Sequence, residues 1–224
     1  MISVIIPFFN NWQLTHARLM EIHKFLPDDV EVILINDAST DTDCDGGVGF
    51  WQGAETRHKI RYIKNKENLG FGGSMNRGAK AAKGEILVFL SNDVIISGNF
   101  IEQIKKEIKE HEKDILIGGR VLYWDTGWNK FNNTIFPYCE GWLLACTREV
   151  WDNLGGFDSQ YAPFDYEDVD LSTTAIQKDC ELVGLNSPYL KHLGGQTAGY
   201  NEKRLAITNR NKEKFYAKWR SVIE

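Results

Sequence analysis

Long apolar runs are missing from this 224-residue chain. None approaches the ~18 residues of a membrane-spanning helix, and the first, Ile2 to Ile6, is closed by Pro7 too early to serve as a leader. A basic excess is missing too: the net charge of −5 offers no electrostatic footprint for nucleic acid. Cysteine is scarce. Cys44, Cys139, Cys146 and Cys180 form neither a C-x-x-C pair nor a cluster with zinc spacing. They read as reduced thiols, and the expected location is the cytoplasm, extending to the inner face of the membrane. Repeats and low-complexity linkers are also absent, so one domain over residues 1–224 is expected.

What is present is alternation. Ile2–Ile6, Val30–Ile35, Ile60–Ile63, Ile86–Leu90 and Ile115–Val121 read as buried strands. Helical stretches lie between them, among them 99–112 with Ile101, Ile104 and Ile108 on one stripe. This order predicts an α/β fold with a Rossmann-like, mostly parallel sheet flanked by helices. Residues 38–58 are polar and glycine-containing with apolar Phe50-Trp51, room for a short helix that the pattern does not place.

In such sheets ligands bind beyond the carboxyl ends of the strands. Three strands end in polar tips there: Pro7-Phe-Phe-Asn10, Asn36-Asp37 and Ser91-Asn92-Asp93. A carboxylate at the last tip is a candidate to hold a divalent metal on a phosphate. The stretch 68–74 reads as a glycine-rich loop whose amides approach a phosphate, with Gly70 and Gly72 giving access and Asn76 and Arg77 adding donors. It is not the dinucleotide fingerprint, because Met75 stands where the third glycine would be. Asp-Ala-Ser-Thr-Asp from Asp37 onward is equally good turn and capping chemistry.

The second half is less periodic. Trp124, Trp128, Tyr138 and Trp142 could floor a sugar site or pack in a core. Asp165, Glu167, Asp168 and Asp170 crowd the start of a helix, which suits both acid–base chemistry and capping. A C-terminal helix from about Lys203 carries Lys203, Arg204, Arg210, Lys212, Lys214, Lys218 and Arg220, a set able to rest on an anionic membrane or to be solvated.

The order of these pieces resembles the family 2 glycosyltransferases, inverting enzymes with the GT-A fold. The likeness runs from Ser3-Val-Ile-Ile-Pro-Phe-Phe-Asn10 to Lys191-His-Leu-Gly-Gly195. It is strongest at Val32–Asp41, Asn68–Gly78 and Glu167-Asp-Val-Asp-Leu171. The Gly70–Gly78 stretch is similar to a rhamnosyltransferase-like branch.

The resemblance implies transfer of a hexose or deoxyhexose from a UDP- or dTDP-sugar to a hydroxyl of a glycan or lipid-linked acceptor. Residues 1–97 would bind the donor, and residues 98–224 the acceptor and base. It places Asp37 on the nucleotide base, with Pro7, Phe9 and Asn10 shaping the pocket. It makes Asp93 the last member of a D-x-D metal motif whose other positions are Ser91 and Asn92 here. His192 would be a second ligand to Mn²⁺ or Mg²⁺, and imidazole suits Mn²⁺ better. It makes Asp168 and Glu167 the catalytic pair, Asp168 as general base and Glu167 orienting the acceptor or a neighbouring side chain, with Trp142 on the acceptor. The altered Ser91-Asn92 leaves a second reading open, a catalytically silent sugar-nucleotide or glycan-binding module.

Overall fold

The computed structural model describes residues 1–41, 43–53, 57–122, 130–131, 134–196, 199 and 201–223. In chain order the elements are β1 (Ile2–Phe8), α1 (Trp12–Phe25), β2 (Val30–Asn36), α2 (Asp43–Gly53), β3 (Lys59–Lys64), α3 (Gly70–Ala81), β4 (Ile86–Leu90), β5 (Val94–Ile96) and α4 (Ile101–Glu110). They continue with β6 (Ile115–Gly118), β7 (Val121–Leu122), β8 (Lys130–Phe131), β9 (Thr134–Ile135), β10 (Tyr138–Cys139), β11 (Leu143–Thr147), α5 (Arg148–Leu154), α6 (Glu167–Gln177), β12 (Glu181–Gly184), β13 (Leu190–His192) and α7 (Glu202–Ile223).

Seven strands form the main sheet in the order β12-β6-β11-β4-β1-β2-β3. All neighbours pair in parallel except β11, which runs antiparallel to both β4 and β6. The continuous apolar strands follow from burial on both faces. Along β1 and β2, Val4, Ile6, Val32 and Leu34 enter one core, while Ile5, Ile33 and Ile35 enter the other. Phe89 of β4 packs against Trp151 of α5 with ring centroids 4.2 Å apart and planes tilted by 33°. A third core joins Tyr138, Tyr161, Tyr166 and Val169 to Phe215 and Tyr216 of α7.

Three expectations change. The first strand runs through Pro7 to Phe8 instead of stopping at the proline. Pairing with β4 ends at Ile5, so the missing N–H of Pro7 falls beyond that ladder. The segment left without an element contains α2, whose Cys44, Val48 and Trp51 fall at helical spacing and are buried. The glycine-rich stretch is not a loop, because α3 begins at Gly70 itself. Its glycines serve close packing: a Cβ at Gly78 would stand 2.3 Å from Ile5 Cγ2. Trp124 and Trp128 lie outside the described residues.

Among the described residues no helix is long and apolar enough to cross a membrane. All four cysteines are buried and unbridged.

Candidate active site

The polar strand tips meet the acidic turn at one cleft of about 930 Å³. Of the residues singled out from sequence, Pro7, Phe9, Asp37, Gly70, Ser91, Asn92, Asp93, Trp142, Glu167, Asp168 and His192 line it. Tip residues adjacent to one another in the parallel register of β1, β2 and β4 have no other place to go.

Asp93 sits immediately past β4. The three-residue ribbon of β5 and β13 places His192 opposite Val94, and so beside Asp93. His192 Nε2 lies 3.2 Å from Asp93 Oδ1, and Ser91 Oγ donates to the same oxygen at 2.6 Å. Burial would raise the Asp93 pKa, but these partners outweigh it and hold the carboxyl below its ordinary value. The separation of the two donor atoms fits a shared cation, since adjacent ligands around a dication with bonds of about 2.0–2.2 Å stand roughly 3 Å apart. Among the described residues no cluster of three or more such side chains exists, so the remaining ligands would come from substrate and water.

Trp142 braces this pair. Its ring stacks on His192 with centroids 5.4 Å apart and planes 18° from parallel. Its Nε1 donates to Glu140 Oε2 at 3.2 Å, and Glu140 is held by Arg120 at 2.6 Å. Gly119 leaves the room, because a Cβ there would fall 2.1 Å from Trp142 Cζ2.

The acidic turn is built under strain. Asp165 and Tyr166 both hold left-handed backbone (φ 71° and 78°), a conformation that costs non-glycine residues about 1–2 kcal/mol each. Helix α7 offsets this strain. Arg204 grips Asp165 with Nη2 to Oδ1 at 2.8 Å and Nε to Oδ2 at 3.2 Å, and Thr208 Oγ1 donates to Oδ2 at 2.6 Å. The fully buried Asn211 donates to the carbonyls of Tyr161, Phe164 and Asp165. Further along α6, buried Asp170 accepts from Tyr161, Lys218 and Trp219.

Within that frame Asp168 Oδ2 accepts from the Gly141 amide at 3.0 Å and Oδ1 from Val169 N at 2.9 Å. Its closeness depends on Gly141, where a Cβ would meet Asp168 Cβ at 3.0 Å. Burial pushes the Asp168 pKa up to about 6, with the two amides opposing. Glu167 is 8% exposed, and its carboxyl is raised well above its ordinary value, by burial first and by the neighbouring Asp168 second.

Several residues expected in a donor pocket are used elsewhere. Asp37 lines the cleft, but its oxygens accept from the amides of Leu69 (2.8 Å) and Gly70 (2.9 Å) and from Asn65 Nδ2 (2.7 Å), so it caps α3. The amides expected to cradle a phosphate are thus taken, and Phe71 N is bonded to Pro163 O. Asn10 Oδ1 accepts from Thr40 N and Asp41 N and ties two strand tips together outside the cleft lining. Asn76 clamps both the amide and the carbonyl of Phe157, and Arg77 donates to Lys64 O and Asn65 Oδ1. A Cβ at Gly72 would stand 3.0 Å from Phe157 Cβ, which marks a packing contact. On α7, Arg204, Arg210, Lys214 and Lys218 bond groups of the protein itself.

Arg120, Glu140 and Gln196 also line the cleft and were not anticipated, and Lys203 and Arg204, read from sequence as part of a membrane-facing or solvated set, line it too. Nothing local in their sequence marks them, since each arrives from a distant element.

The model of Glycosyl transferase family 2 matches residues 3–170. Glycosyltransferase GlyG of Streptococcus pneumoniae serotype 4 is 28% identical over 123 residues, covering 55% of this chain and 40% of that protein. The mannosyltransferase PcManGT from Pyrobaculum calidifontis, solved with GDP-Man and Mn²⁺, superimposes with a TM-score of 0.73 at 20% identity, covering 97% of this chain and 63% of that one. GalNAc-T7, solved with UDP, GalNAc and Mn²⁺, gives a TM-score of 0.70 at 18% identity over 97% of this chain and 47% of that one. These structures establish the GT-A fold. The chain spans less than half the length of the curated relatives it matches. With residues 3–170 matched by the family model, the chain belongs to glycosyltransferase family 2.

Proposed function

We propose that the chain transfers a hexosyl or deoxyhexosyl group from a nucleoside diphosphate sugar, UDP- or dTDP-linked, to an acceptor hydroxyl with inversion. Residues 1–97 hold the donor, and residues 98–224 supply the acceptor side and the base. The observation that carries this reading is that Asp93 and Asp168, 75 residues apart by number (168 − 93), line the same cleft.

Asp168 takes the proton of the acceptor hydroxyl as its oxygen bonds to C1 of the sugar. The bond from C1 to the diphosphate oxygen breaks, and its electron pair leaves with the diphosphate. One displacement from the opposite face inverts the anomeric centre, so a single base suffices. A pKa near 6 leaves Asp168 ionised at neutral pH and more basic than an ordinary aspartate. Asp93 and His192 would hold a divalent cation, Mn²⁺ or Mg²⁺, which when bound would offset charge on the diphosphate. Trp142 fixes the ring of His192 from one side.

The reading is tested by incubating the protein and Mn²⁺ with a panel of nucleoside diphosphate sugars and simple glycan acceptors. Release of nucleoside diphosphate should be accompanied by a product whose anomeric configuration, read by NMR, is opposite to the donor's. A retained configuration would overturn the mechanism, and saturable donor binding without release would replace it with a binding module.

A further inference from the structure

Glu167 and Asp168 are neighbours in the chain and in the cleft, but the protein solvates them unequally: Glu167 has only its own amide as a backbone donor. Asp168 receives two backbone N–H donors, from Gly141 and Val169. Glu167 lines the same cleft at 8% exposure, and its Oε2 has no hydrogen-bond partner among the described residues. The charged groups facing it are Asp168 on its own helix, Asp165 in the preceding turn and Arg204 from α7. Arg204 offers little relief, because its guanidinium is engaged twice by Asp165. From α3 Gly72 comes close and brings no side chain; a Cβ there would stand 3.7 Å from Glu167 Cβ.

An ionised Glu167 would bury one carboxylate oxygen with no hydrogen bond, beside a second carboxylate. A neutral acid avoids that repulsion and turns an orphaned acceptor into a donor. Two carboxyls whose surroundings push their proton affinities apart divide the work of a site. Here the amide-solvated member is suited to remain the anion, and the orphaned one to hold the proton.

We propose that Glu167 stands in the cleft as an uncharged carboxylic acid and donates its O–H to a lone pair on an oxygen of the bound sugar. It is a positioning and specificity contact, not a second base. The inference rests on the glycosyl-transfer reading and gives it a hydrogen-bond donor that selects for a sugar oxygen at one place. Burial and the adjacent Asp168 both favour the protonated form.

Two measurements test it. Infrared difference spectra between wild type and Glu167→Gln at pH 7 should contain a carbonyl band of a protonated carboxylic acid that the variant loses, and that band should move when donor is added. In transfer assays Glu167→Ala should lose about tenfold in kcat/KM, the worth of one hydrogen bond to substrate. Glu167→Gln, which restores an N–H donor of the same shape, should recover most of that loss without moving the acid limb of the pH profile. Absence of the band, or a glutamine variant as impaired as the alanine one, overturns the assignment. A wild type that releases no nucleoside diphosphate from any donor removes the transfer reading instead, and the infrared band still decides the state of Glu167.

Discussion

The two acidic ends of the cleft hold their carboxyls in opposite ways. At the β4 tip, Asp93 is met by a hydroxyl and an imidazole, and its pKa is held down although it is buried. At the start of α6, burial dominates and both Glu167 and Asp168 are pushed up. A carboxylate kept ionised suits a cation, and one made more basic suits a proton. On the proposed reading the same side chain serves two purposes, and the difference lies in the partners that each backbone setting supplies.

The comparison is broken most directly by Asp168→Asn. Transfer should fall by about 10²–10⁴-fold, the usual worth of a general base, while donor affinity measured by calorimetry stays near the wild-type value. Asp168 binds its proton more tightly folded than unfolded, so the stability it lends below the unfolded pKa is lost as pH rises through about 6, and Asp168→Asn should remove that part of the pH dependence of Tm. Unchanged turnover would remove Asp168 from the mechanism.

At the other end, Asp93→Asn and His192→Ala should each weaken Mn²⁺ binding by at least about tenfold in titrations with nucleoside diphosphate present. Full transfer in EDTA would contradict the metal role. The pH profile sharpens the contrast further. Below about pH 6, kcat/KM should drop tenfold per unit as Asp168 is protonated. Asp93, held below the ordinary range, should add no second limb in that window.

The smallest effect belongs to the frame. Asn211→Ala strips donors from three carbonyls of the acidic turn and should cost about 1–3 kcal/mol in denaturant unfolding. It should also lower kcat more than it changes donor KM, because it disturbs Asp168 and not the strand tips.

Much of the fold was legible in the sequence because its strands are apolar on both faces and end in polar tips. Ile86–Leu90 with Ser91-Asn92-Asp93 is the plainest case. The placement of His192 needed the whole-chain resemblance, since the ribbon that delivers it is three residues long. The glycine stretch misled because glycine is read locally as a loop signal, whereas Gly72 and Gly78 are small so that α3 can approach Phe157 and Ile5. Asp37 was read with two roles open, and its partners at Leu69 and Gly70 lie some thirty residues away, beyond any local pattern. The cations of α7 looked like a solvent or membrane face because the carbonyls and acids they bind are 39–60 residues earlier.

That distance has a consequence in time. The acidic turn is made before α7, so during synthesis it lacks the partners that α7 supplies. A chain interrupted inside α7 would own every strand, with Asp93, His192 and Asp168, yet lack the fastening of the turn. On the proposed reading, activity would then come last, when Asn211 and its neighbours reach the loop they secure.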